Sequence, residues 1–252
     1  MKTSIGIFDS GIGGVTVLKE CLKICPNNKY IYISDSKNNP YGEKTKEEII
    51  NYSDNITRYL IDKGCKIIII ACNTASTISV KYLRNKYKKI DFIAIEPAIK
   101  QAYINNTDNG CLIMATPGTL NSDKFKELYN KYHKDNFYIL PCKNLANLIE
   151  NDETDKIHKY LEEKLLKYKN KVSSIVLGCT HYPLIKKEIN KFLPNITFYD
   201  GSIGVSKKLK EIINNKKYTE TKQKIIFIDT NNEKNKKERF YKLLGGNNEK
   251  YN

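Results

Sequence analysis

Two cysteines stand at chemically similar places: Cys72 in ACNTAS (71 to 76) and Cys179 in VLGCTHYPL (176 to 184). Each closes an apolar run and precedes small polar residues, the pattern of a buried strand opening into a ligand-holding loop. A thiol at such a strand-to-helix junction is drawn toward its thiolate by the helix N-terminus. Two of them can invert a carbon centre, one thiolate removing a proton from one face while the other thiol delivers a proton to the opposite face. Ser10, Asn73, Thr74 and Thr180 add donors that could hold carboxylates and stabilise carbanion-like charge. Thr74 and Ser76, or Thr180, are read as caps of the helices that follow. His181, one of three histidines, lies two residues beyond Cys179.

These residues need a scaffold that brings them together. Short apolar runs starting at 5, 30, 67 and 91 read as strands and recur at 111, 136, 174 and 196, offsets of 105 to 107 residues. Helical patterns lie between them, so each half reads as a parallel sheet covered on both faces. The expectation is an α/β fold of two similar parallel-sheet domains related by a pseudo-two-fold, with the active site in the interdomain cleft. In that repeat Cys72 and Cys179 are equivalent and meet from opposite sides. The crossing is expected between 96 and 110, through the Asn-rich INNTDNG. An extra strand, KIIFIDT (224 to 230), and the basic helix after it are expected to return to the first half. The domains are therefore 1–97 with 208–252, and 98–207.

At 252 residues, 40% hydrophobic and 28% charged, the chain has the composition of a soluble globular protein. No apolar run approaches the ~18 residues of a membrane helix, and Asp9 interrupts the N-terminal apolar stretch before a signal sequence could form. A cytoplasmic place is expected. Seven cysteines without a C-x-x-C pair point to reduced thiols and away from a zinc site. The net charge of +15 is spread over helical faces with no aromatic-interleaved basic motif, so nucleic acid is not an expected partner, while acidic small molecules would be attracted. Gly11, Gly13 and Gly14 after the first strand, with Asp35 after the second, imitate a dinucleotide fingerprint. Thr16 replaces its third glycine and Asp9 would face the pyrophosphate, which argues against that reading.

Five segments, FDSGIGGVTVLKE (8 to 20), NPYGEKTKEEI (39 to 49), ACNTAS, IEP (95 to 97) and GCTHYPL (178 to 184), together resemble the cofactor-independent glutamate racemases, in order from residue 5 to about 244. That resemblance implies interconversion of L- and D-glutamate without cofactor or metal, D-glutamate serving peptidoglycan synthesis. It implies Cys72 and Cys179 as the two proton-transfer residues. By the same resemblance Asp9 and Ser10 contact substrate, Asp9 also assisting Cys72, and Tyr41 and Gly42 add contacts. Asn73 and Thr74 flank the first thiol, Thr180 and His181 the second, His181 assisting Cys179. Relatives acting on aspartate commonly carry another residue after CT, so His181 favours glutamate. A homodimer is left open. The segment CKNLANLIE (142 to 150) keeps Cys142, Leu148 and Glu150 but carries Lys143, Leu145 and Asn147 where the family usually has a Pro- and Phe-containing stretch; the resemblance implies a supporting role near His181 for Glu150, which is not counted among the site residues.

Overall fold

In a computed structural model, residues 3–105, 109–219 and 221–246 are described. The first half runs β1 (Ser4–Asp9), α1 (Val15–Ile24), β2 (Lys29–Ser34), α2 (Lys46–Asp62), β3 (Cys65–Ile70), α3 (Asn73–Lys86), β4 (Asp91–Ala94) and α4 (Ile99–Asn105). The second runs β5 (Gly110–Ala115), α5 (Pro117–Leu120), α6 (Asp123–Tyr132), β6 (Phe137–Pro141), α7 (Leu145–Glu150), α8 (Thr154–Leu165), β7 (Val172–Gly178), α9 (Lys186–Phe192) and β8 (Thr197–Asp200). The chain closes with α10 (Ser202–Asn215), β9 (Lys224–Asp229) and α11 (Lys234–Leu244). Part of the expected crossing, 106 to 108, lies outside the described residues.

The apolar run of β3 shows why both faces of the sheet are covered. Side chains alternate along a strand, and Ile67 and Ile69 enter one apolar cluster with Val15, Leu18 and Phe240 while Ile68 and Ile70 enter another with Ile49, Leu60 and Leu83. Each fully buried aliphatic side chain contributes about 1.5–3 kcal/mol, so neither face can be left to water. The second sheet is likewise sandwiched between two clusters.

Strands of the first sheet lie in the order β4-β3-β1-β2-β9 and those of the second in the order β6-β5-β7-β8, every pair parallel. Read from its other edge the second sheet is β8-β7-β5-β6, the first sheet's order without its last strand. Even the register slip repeats: β1 slips against β3 between Ser4 and Ile5, and β5 slips against β7 at the equivalent Gly110 and Cys111. This is the expected duplication. The extra strand β9 extends the first sheet beside β2, and Phe240 of α11 stacks on Phe227 of β9.

The expected return to the first domain at residue 208 falls inside α10. Val205, Leu209 and Ile213 of that helix all join the apolar cluster of the first sheet. One helix cannot be divided between two cores, and we propose that the return begins at Gly201. Leu209 is fully buried, so Leu209→Ala is expected to lower stability by about 2–5 kcal/mol in urea unfolding. A loss below about 1 kcal/mol would show that α10 packs as a peripheral helix.

Candidate active site

The C-terminal ends of both sheets face one narrow cavity, as Ser10, Tyr41, Gly42, Cys72, Asn73 and Thr74 from the first half meet Cys179, Thr180 and His181 from the second. Its volume is ≈ 30 Å³, room for about two waters. The two thiols follow equivalent strands, β3 and β7, and both are buried with only their edges open. Nine of the ten residues expected at a site line this cavity.

The tenth, Asp9, lies behind the wall. It is fully buried at the end of β1, where its Oδ2 accepts from the Gly14 N–H at 2.7 Å and from the Thr180 hydroxyl at 3.1 Å, tying the two halves together. Its Oδ1 is buried without a hydrogen-bond partner. Burial pushes the Asp9 carboxyl up, and the charge of His181 and the Gly14 N–H draw it only partly back. Tyr41 presents its ring side, since its hydroxyl donates to Asp35 Oδ2 at 2.5 Å.

The surroundings of the two thiols differ. The expected caps after the first thiol are not used: Thr74 bonds Thr116 Oγ1 at 3.0 Å and Thr119 Oγ1 at 3.2 Å across the seam, while Ser76 donates to the Ile70 carbonyl. Cys72 is itself the N-cap of α3. Its Sγ accepts from the Ala75 N–H at 3.5 Å, and it stands 3.8 Å from Ser10 Oγ. Burial pushes the Cys72 thiol up, the negative charge of Asp9 adds to the rise, and the Ala75 N–H opposes it. Thr180 caps no helix either, because its hydroxyl goes to Asp9. Cys179 is followed by a short 3₁₀ turn, Tyr182–Ile185, and its near partner is His181 Nδ1 at 3.7 Å.

Behind His181 stands Glu150, the glutamate retained in the altered segment but not counted among the ten expected site residues. Glu150 Oε2 lies 2.7 Å from His181 Nε2 and accepts from the Ile12 N–H at 2.8 Å. Its other oxygen faces Lys236 Nζ at 3.0 Å, an ion pair without hydrogen-bond alignment. Burial alone would raise the Glu150 carboxyl. The bond and charge of His181, the charge of Lys236 and the Ile12 N–H outweigh it and bring the carboxyl down to about 2. His181 moves the other way: burial disfavours its charge, but its bonds to Cys179 and Glu150 and their charges hold the imidazole well above its usual range. The altered 142–150 segment still delivers Glu150, because Asn144 adopts φ 62° and starts α7, a conformation asparagine tolerates.

This packing also accounts for two glycines. A Cβ on Gly13 would come within 2.5 Å of His181 Nδ1, and one on Gly11 would collide with the Glu150 carboxylate. The glycines admit the second half's charged pair, and the space a pyrophosphate would need is filled by these side chains. Thr116 also lines the cavity and was not foreseen, although it follows β5 as Ser10 follows β1, so the repeat contained the signal. Cys142, Asn144 and Asn147 complete that wall. Among the described residues, no three His, Cys, Asp or Glu side chains converge as a metal-ligand set.

The model of the Asp/Glu/Hydantoin racemase family matches residues 5–203. A glutamate racemase of Clostridium botulinum is 42% identical over 235 residues, 90% of this chain and 91% of that protein. A crystal structure of Escherichia coli glutamate racemase with L-glutamate and the activator UDP-MurNAc-ala is similar at TM-score 0.86 and 25% identity, covering 98% of this chain and 97% of that one. The structure of glutamate racemase from Francisella tularensis in complex with D-glutamate gives TM-score 0.81 at 30% identity, covering 98% of this chain and 95% of that one.

Glu150 titrates at about 2 in the fold against an ordinary 4.5, so its contribution to stability is complete above pH 4.5 and fades as the pH falls toward 2. Glu150→Gln is expected to cost on the order of 3 kcal/mol at neutral pH. Urea unfolding at a series of pH values should show that difference closing across this window. A difference that stayed constant through it would mean that the carboxylate's charge is not the source.

Proposed function

The chain belongs to the Asp/Glu/Hydantoin racemase family, among its glutamate racemases, and from that premise we propose that Cys72 and Cys179 interconvert L- and D-glutamate by direct proton transfer. The observation that carries the proposal is the cavity itself, into which the ends of β3 and β7 bring one thiol each from opposite halves of a duplicated fold. A single base could remove and return a proton only on one face. Inversion requires a donor on the other face, and duplication supplies it.

In one direction the thiolate of one cysteine takes the α-proton while the S–H of the other protonates the opposite face of the same carbon. The first cysteine ends as thiol and the second as thiolate, ready for the reverse reaction. The α C–H bond is a very weak acid, so a strong base helps. Cys72, pushed up by burial and by Asp9, is a stronger base once ionised than an exposed thiolate. On the other side His181, held against Glu150, can donate toward a Cys179 thiolate and stabilise it. Asn73 and the backbone N–H groups at the start of α3, with the Ser10 hydroxyl, offer donors for the substrate's carboxylates and for the charge that develops at its α-carbon.

A cavity with room for about two waters must widen before glutamate enters, and its narrowness favours a water-excluding closed state around the bound amino acid. Both sheets contribute walls, so a relative movement of the two halves opens it. The likeness to glutamate racemases supports D-glutamate for peptidoglycan as the product's destination and the cytoplasm as its place. No helix among the described residues is long and apolar enough to cross a membrane.

Purified protein incubated with L- or D-glutamate in deuterated water is expected to incorporate α-deuterium and lose optical activity, with L-aspartate as the control. Cys72→Ser and Cys179→Ser should each slow full inversion by about 10²–10⁴-fold. No exchange from either glutamate enantiomer by the reduced wild-type protein would remove the activity. Near wild-type turnover in either variant would remove the two-thiol mechanism.

A further inference from the structure

The basic helix α11 sends two cations across the seam. Lys236 Nζ lies 3.0 Å from Glu150 Oε1, with the lysine side chain 11% exposed and the glutamate 2%. It also donates to Ser36 Oγ at 2.8 Å, which is hydrogen-bonded to Asp229 at the end of β9, and it approaches Glu233 at 3.7 Å. One turn further on, Arg239 Nη2 donates to the Ile149 carbonyl at 2.8 Å and Nη1 to the Glu150 carbonyl. These are the last carbonyls of α7, where the helix dipole favours a cation. Arg239 thus grips the backbone of Glu150 and Lys236 its carboxylate.

Resting on the two-thiol reading above, we propose that Lys236 is a positioning residue for the Cys179 half of the reaction, holding the Glu150 carboxylate against His181 Nε2 so that His181 Nδ1 stays beside the thiol. The chain of contacts is continuous: Ser36 and Lys236 from the first domain, then Glu150, His181 and Cys179 from the second. A carboxylate this buried keeps one geometry only while its partners surround it. Without the ammonium, Oε1 loses its ion pair, and the carboxylate is held toward the imidazole only through Oε2 and the Ile12 N–H. The C-terminal helix therefore does more than cover β9.

The test compares Lys236→Met with Lys236→Arg in racemisation kinetics and in proton NMR of the His181 ring, whose signal is identified by its loss in His181→Asn. With Lys236→Met, kcat should fall by about tenfold with KM nearly unchanged. The exchange-protected downfield Nε2–H resonance of His181 should be lost or broadened in the same variant. Lys236→Arg, which restores the charge, should recover most of both. If Lys236→Met does not fold, Lys236→Gln, uncharged but still able to donate toward Ser36, takes its place. Unchanged kcat with a retained resonance would overturn the proposal, as would an arginine variant as impaired as the methionine one. Were the wild-type protein itself inactive, the racemase reading would fall, while the resonance would still decide whether Lys236 holds the Glu150–His181 contact.

Discussion

A carboxylate sealed between two domains must be surrounded by donors, and Glu150 sets the terms for everything around it. It sits 2% exposed between His181 and Lys236, with the Ile12 N–H on one oxygen. Leaving such a charge unpaired would cost several kcal/mol, so the β1–α1 loop, α7, the turn after β7 and α11 are held in one mutual arrangement. The glycines at 11 and 13 exist in that loop because any side chain there would occupy the space of the carboxylate or the imidazole. Asp9 ties the two halves from the other side, accepting from the Thr180 hydroxyl across the same seam.

The duplicated framework carries an unequal pair of thiols. β3 and β7 are equivalent in order and register, yet Cys72 caps a helix next to Asp9 while Cys179 leans on an imidazole backed by Glu150. Both arrangements give a thiolate something to bond to, by different chemistry: a backbone N–H and a hydroxyl on one side, a charged ring on the other. A symmetric reaction needs groups able to exchange roles rather than identical surroundings. Duplication provides such a pair of groups, and the different turns after β3 and β7 give them different surroundings.

Strand positions were legible because a buried parallel strand writes itself as an apolar run, and nine such runs appear as nine strands within a residue or two of where they were expected. The two cysteines were legible for the same reason, since the repeat places them at equivalent strand ends. Local reading failed where a polar side chain had a choice of partners. Thr74, Ser76 and Thr180 all have the chemistry of helix caps, but Thr74 and Thr180 bond across the seam and Ser76 bonds back to β3. Thr116 could have been found from the repeat as the counterpart of Ser10. Glu150 was legible only through the resemblance, since nothing local sets it apart from other helix-end glutamates.

Apolar runs and their recurrence determine the sheets, their duplication and the meeting of two thiols, because strand burial and strand order depend on patterns along the chain. The tertiary structure alone decides which charges face one another across the seam. Glu150, His181 and Lys236 are separated by 31 and 55 residues and lie in α7, in the turn after β7 and in α11, and an ion pair has no sequence period. Its partners are chosen by the closeness and burial that packing imposes, so a lysine among the many of a basic helix becomes, once folded, the support of a buried carboxylate.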